Sequence, residues 1–276
     1  MNQVPLHWVI ALPAEAKPLR QRFGLAVQVA SVPFPVFRHR DGLHWLTVSG
    51  PGKTAAAAAT ASLFSVSGQK ENGLWINVGI AGNSQHDMGA LLRANKITDA
   101  GTSRAWFPAP TFQTSIPGQS LITVDRPQSD YDSADLYDME ASGFIETALR
   151  FSTVERVHSL KIVSDHSNET RKAINAGSVT GWMASQLDAL EAFTRSLISS
   201  LPPASDPFPE GAIQLLEAGR FSVSQQHQFR KLVGRCQALS VELPEPESFE
   251  SPRAKTILAE IENRLQSVSL VYPDHD

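Results

Sequence analysis

Short apolar runs closed by proline or glycine alternate with helix-prone stretches along residues 1–200. Residues 8–12 are apolar between Pro5 and Pro13 and read as a buried strand. Pro13 then opens a helix whose inward candidates are Ala14, Leu19 and Phe23. Residues 27–32 and 36–39 read as strands broken by Pro33 and Pro35, and 43–48 as another, closed by Gly50-Pro51-Gly52. From Lys53 to Leu63 the chain is alanine-rich and helix-prone. Residues 74–80 predict a central strand with a turn at Ala81-Gly82-Asn83, and 91–98 and 121–124 predict two more strands. A helix is expected over 139–149, with Phe144, Ile145 and Ala148 on one face. A strand over 157–163 and one long helix over 179–201 follow. This β-α alternation, with consecutive strands inserted, predicts an α/β fold with a mixed central sheet flanked by helices. In such sheets ligands gather where loops leave the carboxyl ends of strands. Glu15, Gly82 and Asp165 all follow strands in that way.

Pro202-Pro203 and Pro207-Phe208-Pro209 read as a linker, which divides the chain into an α/β domain over 1–204 and a helical C-terminal extension over 205–276. Three helices are readable in the extension. The first covers 210–218 and ends at Gly219. The second covers 222–239, opens on a Ser222/Gln225 capping box, and carries the stripe Phe229, Leu232, Val233, Cys236 and Leu239. The third starts at Ser251-Pro252 with the stripe Ile257, Leu258, Ile261, Leu265 and Val268. These stripes need burial on each other, on the α/β domain or on a partner.

The apolar fraction of 42% is enough for a sizeable core. A net charge of −4 without any basic block argues against nucleic acid as the main partner. Cys236 is the sole cysteine, so no disulfide forms within one chain, which points to a reducing cytoplasm. No signal-peptide pattern and no run of ~18 apolar residues is present, so neither secretion nor a membrane partner is expected.

Several motifs have plain structural readings. Ser49-Gly50-Pro51-Gly52-Lys53-Thr54 resembles a phosphate loop, but Thr47 stands where that pattern needs glycine, and Pro51 lacks an N–H. It reads instead as a strand-to-helix turn. The eight histidines show no metal-ligand spacing, so no metal is expected; His166 reads as a loop residue and Cys236 as core. Trp106, Phe107 and Phe112 are stacking candidates whose default reading is cover packing. Glu15, Glu140 and Asp165 carry more weight together: three acids at element edges of one α/β domain suit a site that handles protons and sugar hydroxyls. A buried acid at Glu140, between apolar and small neighbours, needs hydrogen-bonding partners.

The stretches Ala11-Leu12-Pro13-Ala14-Glu15, Ser49-Gly50-Pro51-Gly52-Lys53, Asn77-Val78-Gly79-Ile80-Ala81-Gly82, Asp138-Met139-Glu140-Ala141 and Val163-Ser164-Asp165 resemble, in order and spacing, the purine nucleoside phosphorylase and nucleosidase superfamily. The type they are most similar to is the 5'-methylthioadenosine/S-adenosylhomocysteine nucleosidases, and the resemblance spans roughly residues 6–200. It implies cleavage of a purine nucleoside's N-glycosidic bond through an oxocarbenium-like sugar. In that scheme Asp165 supplies the leaving base with a proton and Glu15 activates the attacking water. Glu140 holds the ribose hydroxyls, Met139 packs on the sugar, and Ile80, Ala81 and Gly82 line the close approach to the ligand. No cofactor is implied.

This chain departs from the family pattern at Ile80, where a serine is usual, at Lys161, where an arginine is usual, and in a shortened segment between Asp99 and Leu121. The identity of the base, the 5' substituent and assembly as a homo-oligomer stay open. Asn77 and Ile80 are poor phosphate ligands, and Glu15 would repel phosphate, which favours hydrolysis. Phosphorolysis with phosphate as co-substrate is the alternative, and a catalytically inactive nucleoside-binding or scaffold protein a third reading. The extension's helices are expected either to pack within the chain or to meet a partner.

Overall fold

The computed structural model describes residues 4–68, 73–108, 112–128, 131, 135–201 and 209–267. The chain divides into two compact units, Met1–Pro202 and Pro203–Asp276. The linker residues 202–208 and Val268 lie outside the described residues, and Pro209 caps the helix that follows.

The first unit is the mixed α/β architecture expected from the sequence. Its strands are β1 (Leu6–Ile10), β2 (Val27–Val29), β3 (Val36–Arg38), β4 (His44–Val48), β5 (Leu74–Gly82), β6 (Leu91–Asp99), β7 (Ala105–Trp106), β8 (Gly118–Thr123), β9 (Leu136–Asp138) and β10 (Val157–Asp165). Its helices are α1 (Pro13–Arg22), α2 (Lys53–Val66), α3 (Ala141–Ala148), α4 (Asn168–Lys172), α5 (Ala176–Ser185) and α6 (Leu187–Ser200). The strand order is β10-β6-β8-β9-β5-β1-β4-β3-β2, with β7 on β6 and a further pairing of β10 with β5. That pairing closes β5, β10, β6, β8 and β9 into a ring, while β1, β4, β3 and β2 extend from β5 as an open sheet. β1, β4, β5 and β10 run parallel, so their carboxyl ends open on one edge.

Period-2 alternation sorts the core onto two faces. Leu6, Trp8 and Ile10 of β1 and Leu74, Ile76 and Val78 of β5 pack with α1, α5 and α6. Val9 and Trp75 turn the other way, toward α2 and α3. Every residue of β10 is buried, as expected for a strand covered on both faces. Helix α2 meets α3 closely: a Cβ on Gly143 would run into the backbone carbonyl of Lys53. In α1, Pro18 has no N–H for the carbonyl of Ala14, and the Thr180 hydroxyl of α5 donates to that carbonyl at 3.1 Å.

Four local readings are corrected. The helix expected over 139–149 begins at Ala141, because Leu136–Asp138 is a strand and Glu140 caps the helix. The long helix over 179–201 is two helices that meet at Gln186, and the first starts earlier, at an Asn175 cap. Ala81 and Gly82 belong to β5 rather than to a turn. Residues 30–32 do not continue β2; Ser31 takes a left-handed φ of 61°.

The second unit contains α7 (Glu210–Gly219), α8 (Val223–Ala238) and α9 (Ala254–Gln266). Its helices bury their stripes on one another, with Leu215, Phe229, Val233, Cys236, Ile257 and Ile261 in one core. Ser222 and Gln225 form the reciprocal cap of α8. Leu239, placed in the stripe by periodicity, is exposed because α8 ends at Ala238. Among the described residues no helix is long and apolar enough to cross a membrane.

Candidate active site

The carboxyl ends of β1, β5 and β10 and the turn before α2 surround a cleft. Glu15, Ile80, Ala81, Gly82, Met139, Glu140 and Asp165, all singled out in the sequence, line it together. Each arrives by a simple local route. Glu15 stands in the first turn of α1, where its Oε2 accepts the Leu12 N–H at 2.8 Å and fixes the entry to the helix. Its Oε1 accepts the Ile80 N–H of β5 at 2.9 Å. Burial pushes the Glu15 carboxyl from its ordinary 4.5 up to about 7, against the two backbone donors and the Lys161 charge, which pull it down.

Asp165 ends β10, just past an irregularity in register between Val163 and Asp165. Such bulges re-aim side chains at strand ends. The Ser164 hydroxyl donates to Asp165 Oδ1 at 2.5 Å, and the Tyr131 hydroxyl donates to Oδ2. Ile80 and Gly82 are two residues apart on β5, about 7 Å of strand rise. The carboxylates of Glu15, held by Ile80, and of Asp165, registered on Gly82, therefore flank the tip of this strand.

Glu140 accepts the Gly52 N–H at 2.8 Å. The glycine turn that looks like a phosphate loop thus spends an amide on a carboxylate of its own chain. Burial, then repulsion from Asp138, raises the Glu140 carboxyl above its usual range.

Asp138 on the cleft wall and Lys161 behind it add further charge, and Arg171, also on the cleft, donates to the Gln128 carbonyl at 2.6 Å. Lys161, 1% exposed, reaches Asp138 Oδ2 with its Nζ at 2.7 Å. Asp138 also accepts the Thr123 hydroxyl at 2.7 Å and the Ala141 N–H at 2.8 Å. Burial pulls the Lys161 ammonium down, but Asp138, Glu140 and Glu15 outweigh it and hold it above its ordinary value. One fixed cation therefore faces three buried carboxyl groups. It compensates Asp138 directly and pulls Glu15 and Glu140 down as well, but burial outweighs it and keeps both raised.

Neither Asp138 nor Tyr131 stands out in the sequence as a site residue, and Lys161 does so only as a departure from the family pattern. A lysine inside the apolar run 157–163 is a detectable signal, since a buried cation demands a buried partner. Tyr131 has no such signal. The base-stacking candidates lie elsewhere: Phe107 is exposed, Trp106 packs on the second core cluster, and Phe112 sits edge-on to His158 and Phe193. The cleft's aromatic residues are Tyr131 and Tyr137. Asn77 lies inside the sheet, bonded to the Val9 carbonyl and the Ser159 hydroxyl. His166 bonds the His86 carbonyl and stays off the cleft.

No family model matches the chain, and no curated protein matches it. Solved structures do. A 5'-methylthioadenosine/S-adenosylhomocysteine nucleosidase from Helicobacter pylori, crystallised with butyl-thio-DADMe-Immucillin-A, is 12% identical with a TM-score of 0.56, over 72% of this chain and 99% of that one. The 5'-methylthioadenosine nucleosidase of Arabidopsis thaliana is 19% identical with a TM-score of 0.54, over 71% and 95%. Futalosine hydrolase of Helicobacter pylori is 14% identical with a TM-score of 0.52, over 72% and 98%. At such identities what is shared is the fold, and this chain has the fold of these nucleosidases and of futalosine hydrolase.

Proposed function

We propose that this protein is an enzyme that hydrolyses the N-glycosidic bond of a purine nucleoside. The observation that carries the reading is the pair of buried carboxyl groups, Glu15 and Asp165, on either side of one strand tip and on one cleft. With its carboxyl near 7, Glu15 is a base matched to neutral pH, suited to take the proton of an attacking water. Asp165, set by Ser164, must take up a proton when the nucleoside binds; it passes that proton to the departing base, which leaves as a neutral molecule, and the proton that Glu15 takes from water returns to solvent and balances the cycle. Glu140, pinned by Gly52, accepts hydrogen bonds from the ribose hydroxyls, and Met139 packs against the sugar.

Water is favoured over phosphate as the nucleophile. A dianion would meet Glu15 and Glu140, the Gly52 amide is already engaged, Lys161 is committed to Asp138, and Arg171 on the cleft donates to the Gln128 carbonyl. The nucleosidases of the same fold, named for methylthioadenosine, support an adenosine modified at the 5' position as the substrate class.

Asp165→Asn tests the assignment. The variant is expected to lose base release while keeping its unfolding midpoint; turnover near that of the parent protein would refute the role given to Asp165.

A further inference from the structure

Both oxygens of Asp165 are engaged by the protein itself. Ser164 holds Oδ1, within the strand. Tyr131 holds Oδ2 from the cleft side, where it is partly exposed. The Tyr131 ring lies against Tyr137, with centroids 5.1 Å apart and planes 30° from parallel. It also fills the space at Gly82, where a Cβ would collide with the phenol. The close approach to the β5 backbone, read from the sequence as room for a ligand, is thus made by a side chain of this chain. Burial, followed by the bond to Asp165, holds the phenol's pKa above its ordinary value, so it stays a donor across the neutral range.

A flat ring that stacks on Tyr137 and presents a hydrogen-bonding edge to Asp165 has the shape and chemistry of a nucleobase. We infer that Tyr131 occupies the purine subsite as a resident competitor, which the base must displace from Asp165 Oδ2 and from the face of Tyr137. This rests on the proposed reading of Asp165 as the group that meets the base. Displacement lowers apparent affinity, because a hydrogen bond to a carboxylate must be broken before one is made. It also selects: a ring that bonds Oδ2 less well than a phenol does not enter. Tyr131 is therefore a specificity-determining residue rather than an acid or base of the reaction.

Adenine and hypoxanthine binding, measured by calorimetry on the full chain, tests this with Tyr131→Phe and Asp165→Asn. Removing the Tyr131 hydroxyl while keeping its ring is expected to tighten base binding by about tenfold, the size of one charge-assisted hydrogen bond. The KM for nucleoside falls in the same direction. Binding to the parent protein also gives a near-UV difference band from the displaced tyrosine, which the variant lacks. A purely structural role for Tyr131 predicts none of these gains. Unchanged or weaker base binding by Tyr131→Phe, while the parent binds base and Asp165→Asn does not, overturns the inference and leaves the purine site standing. Absence of base binding in both the parent and Tyr131→Phe, with no base released from any purine nucleoside, overturns the site reading and the inference together.

Discussion

Replacing Glu15 with glutamine keeps the side chain's shape and removes its charge. In the folded protein the Glu15 carboxyl titrates near 7, and in an unfolded chain it returns to 4.5. Between those values the unfolded state has lost the proton and the folded state still holds it, so stability falls as pH rises. The gap is worth about 1.4 kcal/mol per pH unit, or about 3 kcal/mol in all. Below 4.5 both states are protonated and above about 7 neither is, so the contribution is flat outside the window. Glutamine cannot accept from both Leu12 and Ile80, which adds a loss that does not depend on pH. The informative quantity is therefore the pH dependence of the stability difference between the two proteins. Urea unfolding followed by tryptophan fluorescence is the assay, because Trp8, Trp45, Trp75, Trp106 and Trp182, all five tryptophans of the chain, lie in the α/β unit. From pH 4.5 to 7 the parent protein is expected to lose about 3 kcal/mol relative to Glu15→Gln. A difference that stays constant over this range would refute the claim that Glu15 is a buried group poised near neutrality.

Lys161→Met removes the cation paired with Asp138 and is expected to cost about 3–5 kcal/mol in urea unfolding, since it leaves a buried carboxylate uncompensated. A loss below 1 kcal/mol would mean that the pair is dispensable. Gly143→Ala forces α3 away from the Lys53 carbonyl of α2 and is expected to cost about 1–3 kcal/mol; an unchanged unfolding midpoint would show that the helices can part freely. Glu140→Gln is expected to erase the preference for ribosides over 2'-deoxyribosides, read from kcat/KM on matched pairs; equal losses on both substrates would remove Glu140 from sugar recognition.

The sheet was legible because its strands carry complete apolar runs and its breaks carry proline or glycine. The strand Leu136–Asp138 was not, because three residues that end on an acid and run into a helix-forming stretch look like the start of that helix. The break at Gln186 was hidden for a similar reason: neither glycine nor proline marks it, and α5 and α6 both continue with helix-compatible residues. Glu15, Ile80, Ala81, Gly82 and Asp165 converge because they were read from stretches that end parallel strands, whose tips share one edge; Met139 and Glu140 join them because β9 pairs antiparallel with the tip of β5, Tyr137 against Gly82. Tyr131 escaped notice because its bond to Asp165 spans thirty-four residues of chain, and nothing local in its sequence foreshadows it. Lys161 was readable in principle, since its charge contradicts the strand around it.

Hydrolysis of a purine nucleoside is decided by product analysis on a panel of purine nucleosides, with and without phosphate. Free base and free sugar are expected, at a rate that phosphate does not change. Sugar 1-phosphate formed only when phosphate is present would contradict it and would remove Glu15 from the role of base toward water.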